Sequence, residues 1–200
     1  MEINIIVLTI LLAVYYVAKR YVKFSLVILI EFLMMLAYYN HKTLHFELKQ
    51  FIFIPVGFIL SSFLTSLTTL AVKRVWIKPD IKIPIDNLQV VTGIWEEILW
   101  RNVMLLVIAQ NIDFFFKGSL NLLTAIVVTT LLFVVFHRYN STLDYIEMYV
   151  FSLCLAVSFI YVPYLNIGLH IGRNCFILKL QENKKREEME KYIDRQSQSG

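Results

Sequence analysis

The sequence predicts an all-α, polytopic bundle of about seven transmembrane helices, and three observations converge on it. Hydrophobic residues make up 58% of the 200 positions, with a mean hydropathy of +0.64, whereas a soluble domain is about 45–50% apolar. The apolar residues gather into runs close to the roughly 20 residues that cross a bilayer. Lys and Arg avoid those runs and collect in alternate connections, as the positive-inside rule requires of a membrane protein.

The candidate spans are 3–18, 22–39, 51–72, 87–110, 119–137, 143–162 and 163–180. The first begins almost at Met1, with no basic segment ahead of it and no small-residue cleavage site behind it, and is read as a retained span. The second carries one acid, Glu31, read as a satisfied bundle carboxylate. In the third, Ser62, Ser66 and Thr69 recur at helical spacing and form a small-residue packing face. The fourth contains the unusual stretch GIWEEILWRNVML, residues 93–105. The fifth ends at FVVFH. The sixth opens with Asp144 and Glu147, acids that suit a helix N-terminus. It meets the seventh at Pro163 with almost no loop, so the two can be separate helices or one broken helix with a re-entrant piece.

With the N-terminus outside, fourteen of the nineteen Lys and Arg fall on the inner side and three, Lys42, Lys49 and Lys117, on the outer. Arg101 and Arg173 lie within spans. An odd span count fits termini on opposite sides, with the C-terminus cytoplasmic. Residues 1–180 are therefore expected to form one membrane-embedded domain. Residues 181–200 form a charged cytoplasmic tail, suited to lying as a short helix on anionic lipid. The net charge of +4 is explained by topology and is no nucleic-acid footprint. The two cysteines, Cys154 and Cys175, form neither a disulfide framework nor a CxxC metal pair, and Cys175 has no paired base that would make it a nucleophile.

Charge inside a span is costly, about 2.5–3.5 kcal/mol for each ionised side chain at mid-bilayer. The fourth span nevertheless holds Glu96, Glu97 and Arg101. Glu97 and Arg101 are four apart and share a helix face, with the acid on the favourable N-terminal side. Glu96 points about 100° away around the helix and finds no partner on its own span. Apolar surroundings and a neighbouring like charge tune Glu96 for taking up a proton, which suits a general base. Downstream, Phe133 and His137 stand one turn apart, and His170 and Asn174 do the same in the seventh span. A carboxylate, two imidazoles and an amide donor are sufficient to activate a water and stabilise an oxyanion during amide hydrolysis.

These residues form three ordered motifs, EExxxR at Glu96, Glu97 and Arg101, FxxxH at Phe133 and His137, and HxxxN at His170 and Asn174. In them the chain resembles the CAAX-protease and bacteriocin-processing (CPBP, or Abi) family of intramembrane glutamic endopeptidases, over about residues 88–180. The resemblance implies that Glu96 activates water, that His137 helps to hold and deprotonate it, and that His170 and Asn174 form an oxyanion hole. Glu97, Arg101 and Phe133 are implied to support the site. Trp100 and Asn102 depart from the Phe and Gly common beside the family arginine, which bears on packing and on the surface offered to substrate. The expected function is hydrolysis of a peptide bond in a membrane-associated peptide or protein. The chain's compact length and its Ile, Lys and Asn content suggest a bacterial member acting in bacteriocin or pheromone processing, or in self-immunity.

Other readings stay open at this stage. Glu97 with Arg101 is equally a structural ion pair, and His170 with Asn174 can be interhelical glue. A Glu-His-His set also satisfies catalytic zinc, although HExxH spacing is missing. No metal or other cofactor is expected, with zinc the alternative. A non-catalytic immunity or regulatory binding protein is the competitor from another class. A small proton-coupled transporter fits less well, since no repeated halves are visible. The expected partners are the lipid bilayer and a peptide or protein substrate. The active site is expected in the cytoplasmic half of the bilayer, with Glu96 about 12 Å along its helix from Leu88.

Overall fold

The computed structural model describes residues 48–113, 115–137, 139–162 and 164–197. The spans expected at 3–18 and 22–39, with Glu31, Lys19, Arg20, Lys23 and Lys42, fall outside the described residues, as do Arg138 and Pro163. Every regular element among the described residues is helical. A 3-10 turn, Leu48–Ile52, leads into α1, Phe53–Lys73. Then come α2, Asn87–Glu97, a π-helical segment, Ile98–Met104, and α3, Leu105–Ile112. The chain continues through α4, Gly118–Val135, and α5, Thr142–Tyr161, to α6, Leu165–Ser197.

Local chemistry sets several of these boundaries. Arg74 adopts a left-handed conformation and returns its N–H to the Leu70 carbonyl, ending α1. The connection that follows contains Pro79 and Pro84, neither of which continues a helix. Asp86 then caps α2 by accepting from the Gln89 N–H at 2.9 Å. Ser141 caps α5 by accepting from the Asp144 N–H at 3.2 Å, and its hydroxyl donates to the Asp144 carboxylate at 2.8 Å.

Gln50–Lys73, Gly118–Val135 and Thr142–Tyr161 are long and apolar enough to cross a membrane. They match the third, fifth and sixth sequence-predicted spans, so among the described residues three of the seven expected spans are met by length and apolar character, and the count of seven is not confirmed. The fourth span is helical but is interrupted by the π segment, and the seventh is diluted by His170, Arg173 and Asn174. The sixth and seventh spans are separate helices, α5 and α6, on either side of Pro163. The tail from 181 does not form a short helix of its own. It extends α6 as an exposed continuation to Ser197, because nothing between Leu180 and Ser197 breaks the helix.

The most intimate helix contact is between α1 and α6. A Cβ added at Gly168 would overlap the Ile54 carbonyl oxygen and stand 2.8 Å from the Phe58 nitrogen. At Gly172 it would stand 2.7 Å from the Phe58 carbonyl oxygen, and at Gly57 2.8 Å from the Leu169 nitrogen. Gly168 and Gly172 have G-x-x-x-G spacing, which lets two backbones touch, a contact not anticipated from the sequence. α1 also buries Ser61, Ser62, Thr65, Ser66 and Thr69, of which Ser61 meets Gly172 of α6 and Thr69 meets Glu147 of α5. Thr65, Ser66 and Thr69 donate back to carbonyls one turn earlier, so these hydroxyls are satisfied without water. The opposite face of α1, with Val56, Ile59, Phe63 and Leu67, is exposed and suited to lipid. Gly93 of α2 lies against Ile171, so α6 is held on a second side too. The main apolar core joins Trp100, Met104 and Val107 to Phe133 of α4 and to Phe151 and Leu155 of α5.

Candidate active site

Glu96 and Glu97 are the last acidic residues before the helix widens. They close α2 and stand at the lip of the π segment, whose signature is the Leu105 N–H reaching back five residues to the Trp100 carbonyl. Short π segments inside α-helices are rare and concentrate at functional sites. Both glutamates are buried, as is Arg101, so each must find its partners within the bundle.

The Glu96 carboxylate is bracketed by two imidazoles. His137 Nε2 approaches Oε1 at 3.2 Å, and His170 Nε2 approaches Oε2 at 3.2 Å. His137 follows the end of α4 and is half-buried. Its Nδ1 lies 2.7 Å from the Phe133 carbonyl, an acceptor only, so Nδ1–H donates there. That assignment means His137 Nε2 carries a hydrogen only in the imidazolium. Each contact to Glu96 therefore needs one proton, either on the ring or on the carboxyl. A proton shared between a carboxylate and an imidazole in this way is a movable one.

Glu97 does different work. Its Oε1 meets His170 Nδ1 at 2.7 Å, and its Oε2 accepts from the Asn166 amide at 2.6 Å. His170 thus faces a carboxylate at each ring nitrogen and satisfies both as an imidazolium. The Glu97–Arg101 pair is present at 3.7 Å, which is longer than a hydrogen bond. The firm anchor of Arg101 is Ser152 of α5, whose hydroxyl accepts at 2.6 Å and whose carbonyl lies 3.3 Å away. The Arg101 guanidinium also sits 4.8 Å from the Phe133 ring centre, a cation–π distance. Phe133 is central to the packing, since its ring lies edge-on to Trp100 and His170 and 4.3 Å from the His137 ring. Trp100, the departure from the family pattern, fills space against Phe133 and Phe136.

Of the seven sequence-predicted site residues, the structure brings six together: Glu96, Glu97, Arg101, Phe133, His137 and His170. Asn174 sits one turn beyond His170 on α6, half-buried, and makes no hydrogen bond among the described residues. Two residues missed in the sequence join the cluster, Asn166 and Ser152. Asn166 had a readable signal, because it precedes His170 by one turn as Asn174 follows it. Ser152 had none.

A second polar group ties α1, α5 and α6 together on the same end of the bundle as His137. Lys73 binds Asp144 at 2.6 Å and Glu147 at 2.5 Å, the Thr69 hydroxyl oxygen lies 3.0 Å from Glu147, and Arg173 stands 3.5 Å from it. Asp144 and Glu147 are thus interhelical ligands for cations as well as N-terminal acids. Tyr139 lies between the two groups, near-parallel to the His137 ring, and burial pushes its hydroxyl up so that it stays neutral. On the surface, Lys179 clamps the connection between α1 and α2 by binding Asp80 and the Lys82 carbonyl. That ammonium holds the Asp80 carboxyl below its ordinary value.

The family model described as type II CAAX prenyl endopeptidase Rce1-like matches residues 87–176, the stretch that holds the whole cluster. Comparison with curated proteins and with solved structures returns no match.

Proposed function

Because residues 87–176 match the family model of Rce1-like type II CAAX prenyl endopeptidases, we propose that this integral membrane protein is an intramembrane endopeptidase in which Glu96 activates the attacking water. The observation that carries the reading is the Glu96 carboxylate held between two imidazoles at 3.2 Å each. A merely structural carboxylate needs one cationic partner; here the His170 imidazolium supplies it, and His137, whose Nε2 is an acceptor in the neutral ring, stands beside the base to share its proton.

The reaction follows from the groups in place. A water entering beside Glu96 and His137 gives a proton to the carboxylate, and its oxygen attacks the scissile carbonyl carbon. Once Glu96 has taken the proton, the His170 Nε2–H is released from the neutralised carboxyl and stabilises the resulting oxyanion, with the Asn174 amide one turn along the same helix as second donor. The proton then passes from Glu96 to the amide nitrogen, the C–N bond breaks, and the carboxylate is regenerated. Glu97 holds His170 in position throughout. The mechanism requires no metal ion. The substrate is a membrane-associated peptide or protein approached from the cytoplasmic side, and a bacterial role in peptide processing or self-immunity suits the compact chain.

The test uses the purified protein in liposomes with an internally quenched peptide, offered with and without a prenyl group. Glu96→Gln and His170→Ala are expected to abolish cleavage while keeping the wild-type unfolding profile. Chelator treatment is expected to leave turnover unchanged. Cleavage that survives both substitutions in folded protein overturns the protease reading in favour of a binding role. Loss of activity on chelation, with recovery on adding zinc, turns the same residues into metal ligands.

A further inference from the structure

The amide that follows His170 completes the HxxxN motif, yet the amide that precedes it makes the contact. Asn166 is 1% exposed, and its Nδ2 donates to Glu97 Oε2 at 2.6 Å. The other Glu97 oxygen receives His170 Nδ1 at 2.7 Å. The same ring then presents Nε2 to Glu96 Oε2 at 3.2 Å. A chain of contacts therefore runs Asn166, Glu97, His170, Glu96, with all four members buried.

The direction of the Asn166 amide is not free. Turning it over would set its carbonyl oxygen against the Glu97 carboxylate, acceptor against acceptor. The present orientation leaves Oδ1 buried with no hydrogen-bond partner among the described residues. An unsatisfied buried acceptor is costly, so the amide is held in place by what its donor does for Glu97. Arg101 does not do this job, because its nearest nitrogen is 3.7 Å from Glu97 and its hydrogen bonds go to Ser152.

We infer that Asn166 is a positioning residue, setting the angle of the Glu97 carboxylate and through it the aim of His170 at Glu96. The inference rests on the protease reading above. It assigns the two amides of α6 different tasks, Asn166 behind the imidazole and Asn174 in front of it. Asn166 is buried and reaches Glu96 only by way of Glu97 and His170, so its removal acts on turnover and not on substrate affinity.

The experiment compares Asn166→Leu, which keeps the branching and loses the donor, with Asn166→Asp, which keeps shape and exchanges the donor for a like charge, and Asn166→Gln, which keeps the amide. All are assayed in liposomes with the quenched peptide, with Glu97→Gln as the second arm of a double-mutant cycle. Losing a buried hydrogen bond to a charged group corresponds to roughly a 10- to 100-fold fall in kcat. That fall is expected for Asn166→Leu, with a larger one for Asn166→Asp, KM within about twofold of wild type, and partial recovery in Asn166→Gln. In the Glu97→Gln background the Leu substitution is expected to cost little more, because the carboxylate it acts through is gone. Equal costs in both backgrounds, or a change carried by KM, overturn the inference. If Asn166→Leu fails to fold, Asn166→Asp and Asn166→Gln carry the comparison alone, and equal activity of those two overturns it. Glu96→Gln in the same assay separates the two readings. Should it remain active, the protease reading has failed. Should it be dead while the Asn166 variants match wild type, only the positioning role has failed.

Discussion

Substituting Gly168 by alanine tests whether the α1–α6 seam sets the geometry of the site. A Cβ there would stand 2.8 Å from both the Ile54 carbonyl carbon and the Phe58 nitrogen and would overlap the Ile54 oxygen, where ordinary contact begins at 3.4 Å. All three are backbone atoms and none can swing aside, so the helices must part by at least that difference. Overpacking of this kind costs about 1–3 kcal/mol. His170 lies two residues along α6, on the side turned to Glu97, and separating α6 from α1 drives the ring toward α2. A misplacement of about 1 Å in a catalytic constellation can cost on the order of 100-fold in rate. The expected outcome is a lowered unfolding midpoint in detergent, with kcat down by about that factor and KM less affected. Gly118→Ala serves as the reference. Its position is left-handed at φ +58 with open space around it, so it pays only the conformational cost, about 1–2 kcal/mol, and keeps its activity. If Gly168→Ala unfolds at the wild-type midpoint and cleaves at the wild-type rate, the seam does not position the site.

Three further outcomes follow from the same contacts. Ser152→Ala removes the 2.6 Å acceptor of a buried guanidinium and should destabilise the protein by about 1.5–3 kcal/mol, read by chemical unfolding in detergent. Glu97→Gln leaves Arg101 without its neutralising charge and His170 without its orienting carboxylate. A loss of about 3–5 kcal/mol is expected, with thermal unfolding at fixed detergent as the check. For Asp80, whose carboxyl is held below its ordinary value of 3.8 by Lys179, the clamp is complete above that value and is lost as pH falls through the lower native one. Asp80→Asn should therefore speed protease nicking of residues 74–86 at neutral pH, and the difference from wild type should vanish under strong acid.

The site was more legible in the sequence than the framework that holds it. Glu96, Glu97 and Arg101 stood out because ionised groups are expensive in an apolar helix, so their presence is itself a signal. His137 and His170 were found through spacing. Asn166 and Ser152 escaped because uncharged polar residues are cheap in helix interfaces and carry no comparable signal. The π segment has no local code, since Ile98–Met104 reads as ordinary helix former until tertiary contacts widen it. Lys73 with Asp144 and Glu147 joins residues about 70 positions apart, beyond the reach of any periodicity argument. Gly168 and Gly172 stand at G-x-x-x-G spacing in the sequence, yet no such motif was read there, and the spacing by itself does not say which helix α6 meets. The helix at 163–180 was legible from its apolar run although its inner face carries His170, Arg173 and Asn174, polar residues that lower its mean hydropathy without breaking the helix.

The glycines of α6 have a mechanical consequence. With its backbone pressed on α1 and Gly93 of α2 set against Ile171, α6 can neither slide nor roll without driving main-chain atoms into one another. The wall that carries His170 behaves as a stator. On the proposed protease reading, motion that admits a peptide to Glu96 is left to the opposite side, where among the described residues Phe133 in the last turn of α4 and His137 just beyond it meet the site. Swinging that end outward withdraws one imidazole from the carboxylate and keeps the other in register, so opening the site and disarming it are one movement.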